Sequence, residues 1–387
     1  MLSTPITGEL VRGACELEPT AYGVLPHRLP ARARDQADDQ VRQAESQPAG
    51  VRLVFATEAT EVELDAHRVL YGYTDLPLRP DCPWDLLVDG ELSGQVTLTG
   101  GDVVETDVST GTTRTRSGPA GTVRFTGLPA RNKTVELWLP WSETTHLGAL
   151  RTDAPVRAVS GGGRVWLHHG SSISHGSNAD SPSSTWTGLA ARAGGVDLVN
   201  LGLSGNALLD PFTARAMRDT PADLVSVKIG INLTNHDLMR LRAFGPAVHG
   251  FLDAIRDGHP DAPLLVVSPL LCPMHEETPG PGAVDPEALA QGLVRFVALG
   301  DPAEVPAGKL TLQVIRAELA RIVAERARTD PAIHYLDGLA LFGEADHERF
   351  PLPDNLHPDG DAHRLIGARF TAVAFGPGGA FSLLGDP

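Results

Sequence analysis

Between about Val51 and Leu150 the chain alternates apolar and polar residues in short runs, and glycine, proline or aspartate separates one run from the next. A period of two places every second side chain on one face of a strand, and helical periodicity is hard to find here. Many short strands at this spacing predict a β-sandwich or jelly roll. We predict strands at 52–56, 60–66, 84–90, 95–99, 102–108, 122–128 and 133–141. Residues 1–50 have no clear period, and we expect irregular segments there.

The pattern changes near Ser160, where three consecutive glycines at 161–163 form a hinge. Beyond them, strand-like runs alternate with helical ones, which is typical of a parallel sheet covered by helices on both faces. Five such strands predict a flavodoxin-like sheet, in which ligands bind beyond the carboxyl ends of the strands. We predict strands at 164–169, 196–203, 222–231, 262–271 and 332–338, and helices at 185–193, 246–257, 310–328 and 363–375.

These two patterns predict two domains in an α/β protein. A β-sandwich accessory domain occupies 1–155, and an α/β catalytic domain occupies 160–387. A chain of 387 residues is long for one core and comfortable for two. A stretch rich in proline and glycine, from Cys272 to about Lys309, interrupts the α/β pattern. It is either a lid or specificity loop, or a solvated excursion with a short helix near 286–298.

Composition excludes several classes of protein. With 42% hydrophobic and 21% charged residues, the chain resembles ordinary globular proteins. The formal net charge of -16 would repel a phosphate backbone, so we expect no nucleic-acid partner. No run approaches the roughly 18 to 20 apolar residues that span a bilayer, so we expect no membrane insertion.

The cysteines and the N-terminus bear on the compartment. Cys15, Cys82 and Cys272 are odd in number and far apart, which favours a reducing compartment over a disulfide framework. The N-terminus lacks the positive segment and apolar stretch of a secretory signal. We therefore expect a cytoplasmic protein.

Three polar clusters follow predicted strands. Gly170-Ser171-Ser172-Ile173 forms a turn that can present a hydroxyl and backbone N–H groups to a substrate. Gly205 can offer its N–H to a developing oxyanion without a side chain in the way. Gly230-Ile231-Asn232 can add a hydrogen bond from an amide side chain. Each cluster alone is also typical of a turn or a helix cap.

A fourth cluster, Asp354-Asn355-Leu356-His357-Pro358, precedes the last predicted helix. An aspartate three residues before a histidine can accept a hydrogen bond from Nδ1–H, which leaves Nε2 free to take a proton from a hydroxyl. Activation of a serine requires this arrangement. The same pair could instead supply half of a metal site or belong to a loop before a helix.

In this order on successive strand ends, the four clusters resemble the blocks of the SGNH (GDSL) hydrolase superfamily, over roughly residues 160–387. The resemblance implies that Ser172 is the nucleophile and that Asp354 and His357 complete its triad. It also implies that Gly205 and Asn232, with the N–H of Ser172, form the oxyanion hole. The implied chemistry is acyl transfer through an acyl-enzyme, with no metal and no redox cofactor. The partners would be a small-molecule ester or thioester, acyl-CoA included, and a hydroxyl acceptor or water.

One position departs from the family pattern, because Ser171 stands where the family has an aspartate before its nucleophile. Either serine could attack, and we assign Ser172 because the family nucleophile takes the third place of Gly-x-Ser. Among nearby histidines, we expect one of His168 and His169 to be a core residue. We expect His175 to line the pocket or to cap a helix.

The predicted domain order resembles two kinds of protein. They are GDSL-type acyltransferases that esterify polyketide natural products, and carbohydrate esterases with a sugar-binding module. We favour an intracellular acyltransferase or small-molecule esterase. The alternatives are a carbohydrate deacetylase, an inactive SGNH-fold binding protein, and a metal-dependent hydrolase that uses Asp354 and His357.

Overall fold

The computed structural model describes residues 1–74, 76, 78–107 and 110–382. The chain divides into two compact units. The first comprises Met1–Ala31, Arg42–Gly163 and Asp180–Ser183. The second comprises Arg32–Val41, Arg164–Ala179 and Ser184–Pro387. Residues 32–41 belong to the second unit although the chain on both sides of them belongs to the first, and residues 180–183 belong to the first unit although their neighbours belong to the second. The sequence pattern predicts neither assignment.

The first unit contains two β-sheets. Its strands β1–β14 are Leu2–Thr4, Val11–Arg12, Glu16–Thr20, Gly23–His27, Arg52–Thr57, Glu61–Tyr73, Trp84–Val88, Glu91–Val96, Asp102–Thr106, Thr113–Arg116, Gly121–Thr126, Lys133–Trp138, Thr144–Thr152 and Val156–Ala158. One sheet has the order β10-β9-β6-β13-β4-β3, with β1 on β13 and β11 on β6. The other has the order β14-β5-β12-β7-β8, with β2 on β5.

Both sheets of this unit contribute to one apolar core. Leu53, Phe55 and Leu137 come from one sheet, and Leu64 and Phe125 come from the other. Alternate residues of β11 and β12 are buried, which is the period of two read from the sequence. The predicted β-sandwich is therefore confirmed.

The prediction for residues 1–50 is wrong, because four strands and two helices form there. The helices are α1, Ala31–Arg34, and α2, Asp39–Ser46. Strands β3 and β4 each contain a proline, and β3 lies at a sheet edge, where a missing N–H is tolerated. The strand predicted at 95–99 ends at Val96, and the strand predicted at 102–108 reaches Val108, which lies outside the described residues.

The second unit is built on five parallel strands. Its strands β15–β21 are Val165–Gly170, Asp197–Gly202, Leu224–Lys228, Leu264–Val267, Gly282–Val284, Phe296–Ala298 and Ile333–Leu336. The parallel sheet has the order β16-β15-β17-β18-β21, so β15 lies between β16 and β17. This is the flavodoxin-like order, and it confirms the predicted fold class.

Nine α-helices lie between Ser172 and Phe370 in the described part of the second unit. They are α3–α11: Ser172–His175, Trp186–Ala193, Pro211–Asp219, Ile231–Asn235, Leu241–Gly258, Pro286–Leu289, Leu312–Arg326, Glu344–Arg349 and Gly360–Phe370. Short 3-10 segments lie at Pro182–Ser184, Pro273–His275, Pro302–Ala307 and Gly338–Ala340, and a π turn lies at Thr371–Phe375.

Two helix predictions need correction. Helix α7 begins at Leu241 rather than at Pro246, so the proline lies inside the helix instead of starting it. The helix expected near 286–298 is only one turn, Pro286–Leu289, and strand β20 follows it. Strand β20 pairs with β19 in a small antiparallel hairpin.

Candidate active site

Helix α3 begins directly after strand β15 and has Ser172 as its first residue. The helix rests on Gly170 and Gly202, which are paired across β15 and β16. A Cβ atom on Gly170 would collide with the Ser174 side chain, and one on Gly202 would collide with the backbone at His175. Glycine is needed at these positions because the helix approaches the strand ends so closely.

Ser172, His357 and Asp354 form a continuous hydrogen-bonded chain. Nε2 of His357 lies 2.9 Å from Oγ of Ser172, and its Nδ1 lies 2.7 Å from Oδ2 of Asp354. The two outer residues are 182 positions apart in sequence, and the fold brings them onto one imidazole. Since the Nδ1 proton is directed at the carboxylate, Nε2 is the ring atom that can accept the serine proton.

The Asp354 carboxylate is held in place by its own loop. Its Oδ1 accepts hydrogen bonds from the backbone N–H groups of Leu356 and His357, at 3.0 and 2.7 Å. Burial alone would raise the pKa of Asp354, but the hydrogen bonds and the charge of His357 lower it below its usual value. Asp354 is therefore ionised at neutral pH.

Ser171 occupies a different environment from its neighbour. Its side chain is fully buried, and Oγ has no hydrogen-bond partner among the described residues. Ser172 keeps 8% of its surface exposed and is the serine in contact with His357. Of the two adjacent hydroxyls, only that of Ser172 has a base within reach in the described structure.

A second buried hydrogen-bonded chain links helix α3 to the parallel sheet. Nε1–H of Trp166 donates to Oγ of Ser226 at 2.8 Å, and Oγ of Ser226 lies 2.7 Å from Nδ1 of His168. Nε2 of His168 lies 2.8 Å from Oγ of Ser174. Burial, and then the charge of Lys228, lower the pKa of His168 well below its usual value, so the ring is neutral. His168 is thus a hydrogen-bonded core residue, as expected.

Gly205 lies in the loop after β16, the neighbour of β15 in the parallel sheet. Its φ of 74° is left-handed, and its carbonyl accepts a hydrogen bond from Nε2 of His236 at 3.0 Å. Its N–H donates to no other residue in the described part of the chain. Nδ1 of His175 accepts from the N–H of Ser204 at 3.3 Å, so this buried histidine holds the Gly205 loop. The peptide is therefore free to donate to a ligand.

Asn232 lies in α6, after strand β17 on the other side of β15. Its Oδ1 accepts from the N–H of Ala207 at 3.1 Å, which ties this helix to the Gly205 loop. With Oδ1 occupied, the Nδ2 group faces away from Ala207 and has no acceptor among the described residues. Both predicted oxyanion donors thus follow strands that flank β15, and each has an N–H group without an acceptor among the described residues.

The insertion from Cys272 to about Lys309 contacts the loop of Asp354 and His357. The N–H of Phe296 donates to the carbonyl of Asp354 at 2.9 Å, and Nδ2 of Asn355 donates to the carbonyl of Phe296 at 3.2 Å. The Phe296 ring packs edge-on against the His357 ring, with centroids 5.8 Å apart. Strand β20 therefore packs against the loop of Asp354 and His357, whereas residues 290–295 of the same stretch are exposed and follow a one-turn helix. The stretch combines features of both interpretations.

The described residues give little support to a cysteine nucleophile or to a metal site. Cys15, Cys82 and Cys272, all within described parts of the chain, form no disulfide with one another, and burial raises the pKa of Cys272 to about 12, which makes its thiol inert. Within residues 1–74, 76, 78–107 and 110–382, no three His, Cys, Asp or Glu side chains gather in an arrangement that could hold a metal ion.

The sequence matches one family profile. The GDSL-like Lipase/Acylhydrolase family matches residues 169–365, which is just over half of the chain and includes all five predicted site residues. The chain belongs to this family. The predicted resemblance to SGNH/GDSL hydrolases is confirmed, and this GDSL protein is an enzyme of the acylhydrolase and acyltransferase kind.

Solved structures extend the likeness over both units of the GDSL protein. It is similar to the Salicylyl-Acyltransferase SsfX3 from a tetracycline biosynthetic pathway, with 28% identity, a TM-score of 0.76 and 95% of each chain covered. A Bacteroides ovatus protein described as a GDSL-like lipase is 18% identical, with a TM-score of 0.63 and 93% of each chain covered. A family two carbohydrate esterase from Clostridium thermocellum is 13% identical, with a TM-score of 0.56, over 84% of this chain and 90% of the other. No curated protein sequence matches the chain.

Several residues that shape the site of this GDSL protein escaped prediction. Nδ2 of Asn178 lies 3.5 Å from Oδ2 of Asp354, and Nδ2 of Asn200 donates to the carbonyl of Ser174 at 2.8 Å. Phe296 carried no sequence signal, whereas Asn200 stands at the end of a predicted strand. Across the described ranges, no helix combines the length and the apolar character needed to cross a bilayer.

Proposed function

We propose that this chain transfers an acyl group from a small-molecule ester or thioester to a hydroxyl acceptor through an acyl-enzyme on Ser172. The observation that carries the proposal is the chain of hydrogen bonds from Asp354 through His357 to Ser172 Oγ. A half-buried, ionised carboxylate behind the imidazole stabilises the imidazolium that forms when the ring takes a proton.

In the first half of the reaction, Ser172 Oγ forms a bond to the carbonyl carbon of the donor as its proton moves to His357 Nε2. The carbonyl oxygen becomes an oxyanion, and the N–H groups of Ser172, Gly205 and Asn232 are its proposed donors. The bond to the leaving group then breaks, and the leaving oxygen or sulfur takes the proton from Nε2. The product is the Ser172 ester.

The second half repeats these steps in reverse order. The acceptor hydroxyl gives its proton to Nε2 while its oxygen bonds to the acyl carbon, and the bond to Ser172 Oγ then breaks as the serine regains the proton. Water in place of the alcohol gives hydrolysis. The same side chains therefore serve as a transferase or an esterase.

The comparisons favour a transferase that acts on small molecules. The structure sharing 28% identity is named a salicylyl acyltransferase, and its likeness covers 95% of this chain. We therefore propose acyl-CoA or a related thioester as the donor, with no metal or redox cofactor. The three cysteines are odd in number, far apart in sequence and not joined by a disulfide, which suits a reducing compartment, so we propose that the reaction takes place inside the cell.

Two single variants test the assignment of the nucleophile. A fluorophosphonate probe should label the wild type and Ser171→Ala, and it should not label Ser172→Ala. Incubation with benzoyl-CoA should add one benzoyl group to Ser172, seen by intact-protein and peptide mass spectrometry. An alcohol acceptor added afterwards should remove that group and yield an ester.

The opposite pattern would reject the proposal. Labelling of Ser172→Ala with loss in Ser171→Ala would move the nucleophile by one residue. Release of acetate from acetylated xylan without any adduct from thioesters would favour a carbohydrate esterase. If neither probe nor thioester modified the folded protein, a binding protein would be the better description.

A further inference from the structure

An apolar surface lies on the imidazole side of the candidate site. Ile231, Cys272, Leu312 and Leu356 form a buried apolar cluster, and the half-buried side chains of Met274 and Phe296 pack against it. The Phe296 ring also contacts the His357 ring, whose Nε2 is 2.9 Å from Ser172 Oγ. The cluster therefore adjoins the reacting groups.

The hairpin extends this surface outward. Val284 in β19 lies directly opposite Phe296 in β20, and directly paired residues project from the same face of a sheet. Val284 keeps 38% of its surface exposed, so this face reaches solvent. We call the set Ile231, Met274, Val284, Phe296 and Leu356 the hairpin wall.

The hairpin wall contacts the His357 ring, and this position determines which part of a substrate it would face. His357 Nε2 must reach the leaving group in acylation and the incoming hydroxyl in deacylation. A group that contacts the imidazole ring therefore flanks the leaving group and the acceptor. An apolar aromatic wall there favours an alcohol with a large apolar body and disfavours water and small polyols.

We propose that Phe296 is a specificity-determining residue, and that the hairpin wall binds the apolar ring system of an acceptor alcohol and so favours transfer over hydrolysis. This inference rests on the proposed function and adds the class of acceptor. In the transfer step the acceptor oxygen bonds to the acyl carbon, the bond from Ser172 Oγ to that carbon breaks, and the acceptor proton passes through Nε2 to Oγ.

Substitution of Phe296 tests its side chain separately from its backbone hydrogen bonds. Its N–H and C=O bind Asp354 and Asn355, so a change of side chain leaves these hydrogen bonds available. Phe296→Ala removes the ring, and Phe296→Leu keeps an apolar side chain. Phe375→Ala is a matched control, because Phe375 is also half-buried but lines a cleft beside Arg164, at the opposite end of β15.

The measurement is the partition of one acyl-enzyme between acceptors. With p-nitrophenyl acetate as the donor, 2-phenylethanol and glycerol are supplied at equal concentration, and both esters and free acetate are quantified. The wild type and Phe375→Ala should favour the 2-phenylethanol ester. Phe296→Ala should lower the ratio of that ester to acetate about tenfold, with Phe296→Leu between the two. Release of p-nitrophenol without an acceptor should stay within about twofold of the wild type in Phe375→Ala, because the Phe375 side chain lies away from the imidazole.

The outcomes separate the two claims. If no acetyl adduct forms on Ser172, the proposed function fails. If the adduct forms but the wild type shows no preference for 2-phenylethanol, or Phe296→Ala keeps the wild-type ratio, only the hairpin wall is rejected. An equal fall for both esters would assign Phe296 to positioning His357, which also rejects the acceptor wall.

Discussion

At the residue scale, the site depends on which atom of each side chain is already occupied. Asp354 uses both carboxylate oxygens, one on the His357 ring and one on two backbone N–H groups. Asn232 uses only its Oδ1, on Ala207, so its N–H group stays available. These contacts assign a donor or acceptor role to each atom before any substrate is bound.

Asp354→Asn should lower kcat by about 10⁴-fold, because an amide cannot stabilise the imidazolium and favours the wrong tautomer of His357. The measurement is steady-state turnover of p-nitrophenyl acetate, with circular dichroism to verify folding. Asp359→Asn is the matched control, since Asp359 caps α11 through the N–H of Ala362 and asparagine caps equally well. A folded Asp354→Asn within tenfold of the wild type would show that the carboxylate has no such role.

The residues that the sequence revealed are those whose chemistry depends on local spacing. Asp354 and His357 are three positions apart, and a single loop brings their side chains within hydrogen-bond distance. Ser172 could be paired with them only through the family resemblance, because periodicity does not encode which strand ends meet. Phe296 could not be found, since it lies 61 positions before His357, in a hairpin within a stretch without period. The unpredicted helix α5 did carry a signal, with Asp210 before Pro211 at its start.

At the scale of elements, the five parallel strands were predictable because each is a short run rich in apolar residues that alternates with helical segments. The insertion was not, since its structure depends on contacts with the rest of the second unit. Arg316 of α9 binds the start of the insertion. It donates to both carboxylate oxygens of Glu276, at 2.7 and 2.6 Å. It also donates to the carbonyls of Pro269 and Leu270, just before the insertion. The hairpin of the insertion is bound to the loop of Asp354 and His357 through Phe296.

Arg316→Met should free the start of the insertion, at Glu276, from helix α9. Breaking a pair that is largely buried costs about 3 to 5 kcal/mol, because Glu276 and two carbonyls lose their partner. We expect faster proteolysis within 277–300 and a lower kcat, since the hairpin holds the loop of Asp354. Arg321→Met, on the exposed face of the same helix, should change neither quantity. Equal protease resistance in both variants would mean that the hairpin is held by its other contacts alone.

At the scale of the whole molecule, each unit has its own core, and the likeness to the salicylyl acyltransferase covers both. The second unit also contains a buried cation. Lys228 ends β17, opposite Val267 of β18, and lies two residues beyond Ser226 on the same face of the sheet. Its side chain makes no hydrogen bond or ion pair with any described residue, and burial lowers its pKa to about 8.

This lysine should make stability depend on pH in a defined direction. Between about pH 8 and the ordinary lysine pKa of 10.5, the unfolded chain holds a proton that the folded chain has lost. The contribution of Lys228 therefore destabilises the fold fully below pH 8 and is relieved as the pH rises towards 10.5. Since each pKa unit is worth about 1.4 kcal/mol, the destabilisation at pH 7 is about 3 kcal/mol.

Lys228→Met should therefore unfold at a higher urea concentration than the wild type at pH 7, and the difference should shrink by about pH 10. Tryptophan fluorescence follows the unfolding, because Trp166 and Trp186 lie in the core of the same unit. Lys133→Met is the matched control, since the buried Lys133 donates to the carbonyls of Ala59 and Pro129, and its loss should destabilise the protein. A Lys228→Met protein that is less stable than the wild type at pH 7 would mean that the ammonium has a compensating partner.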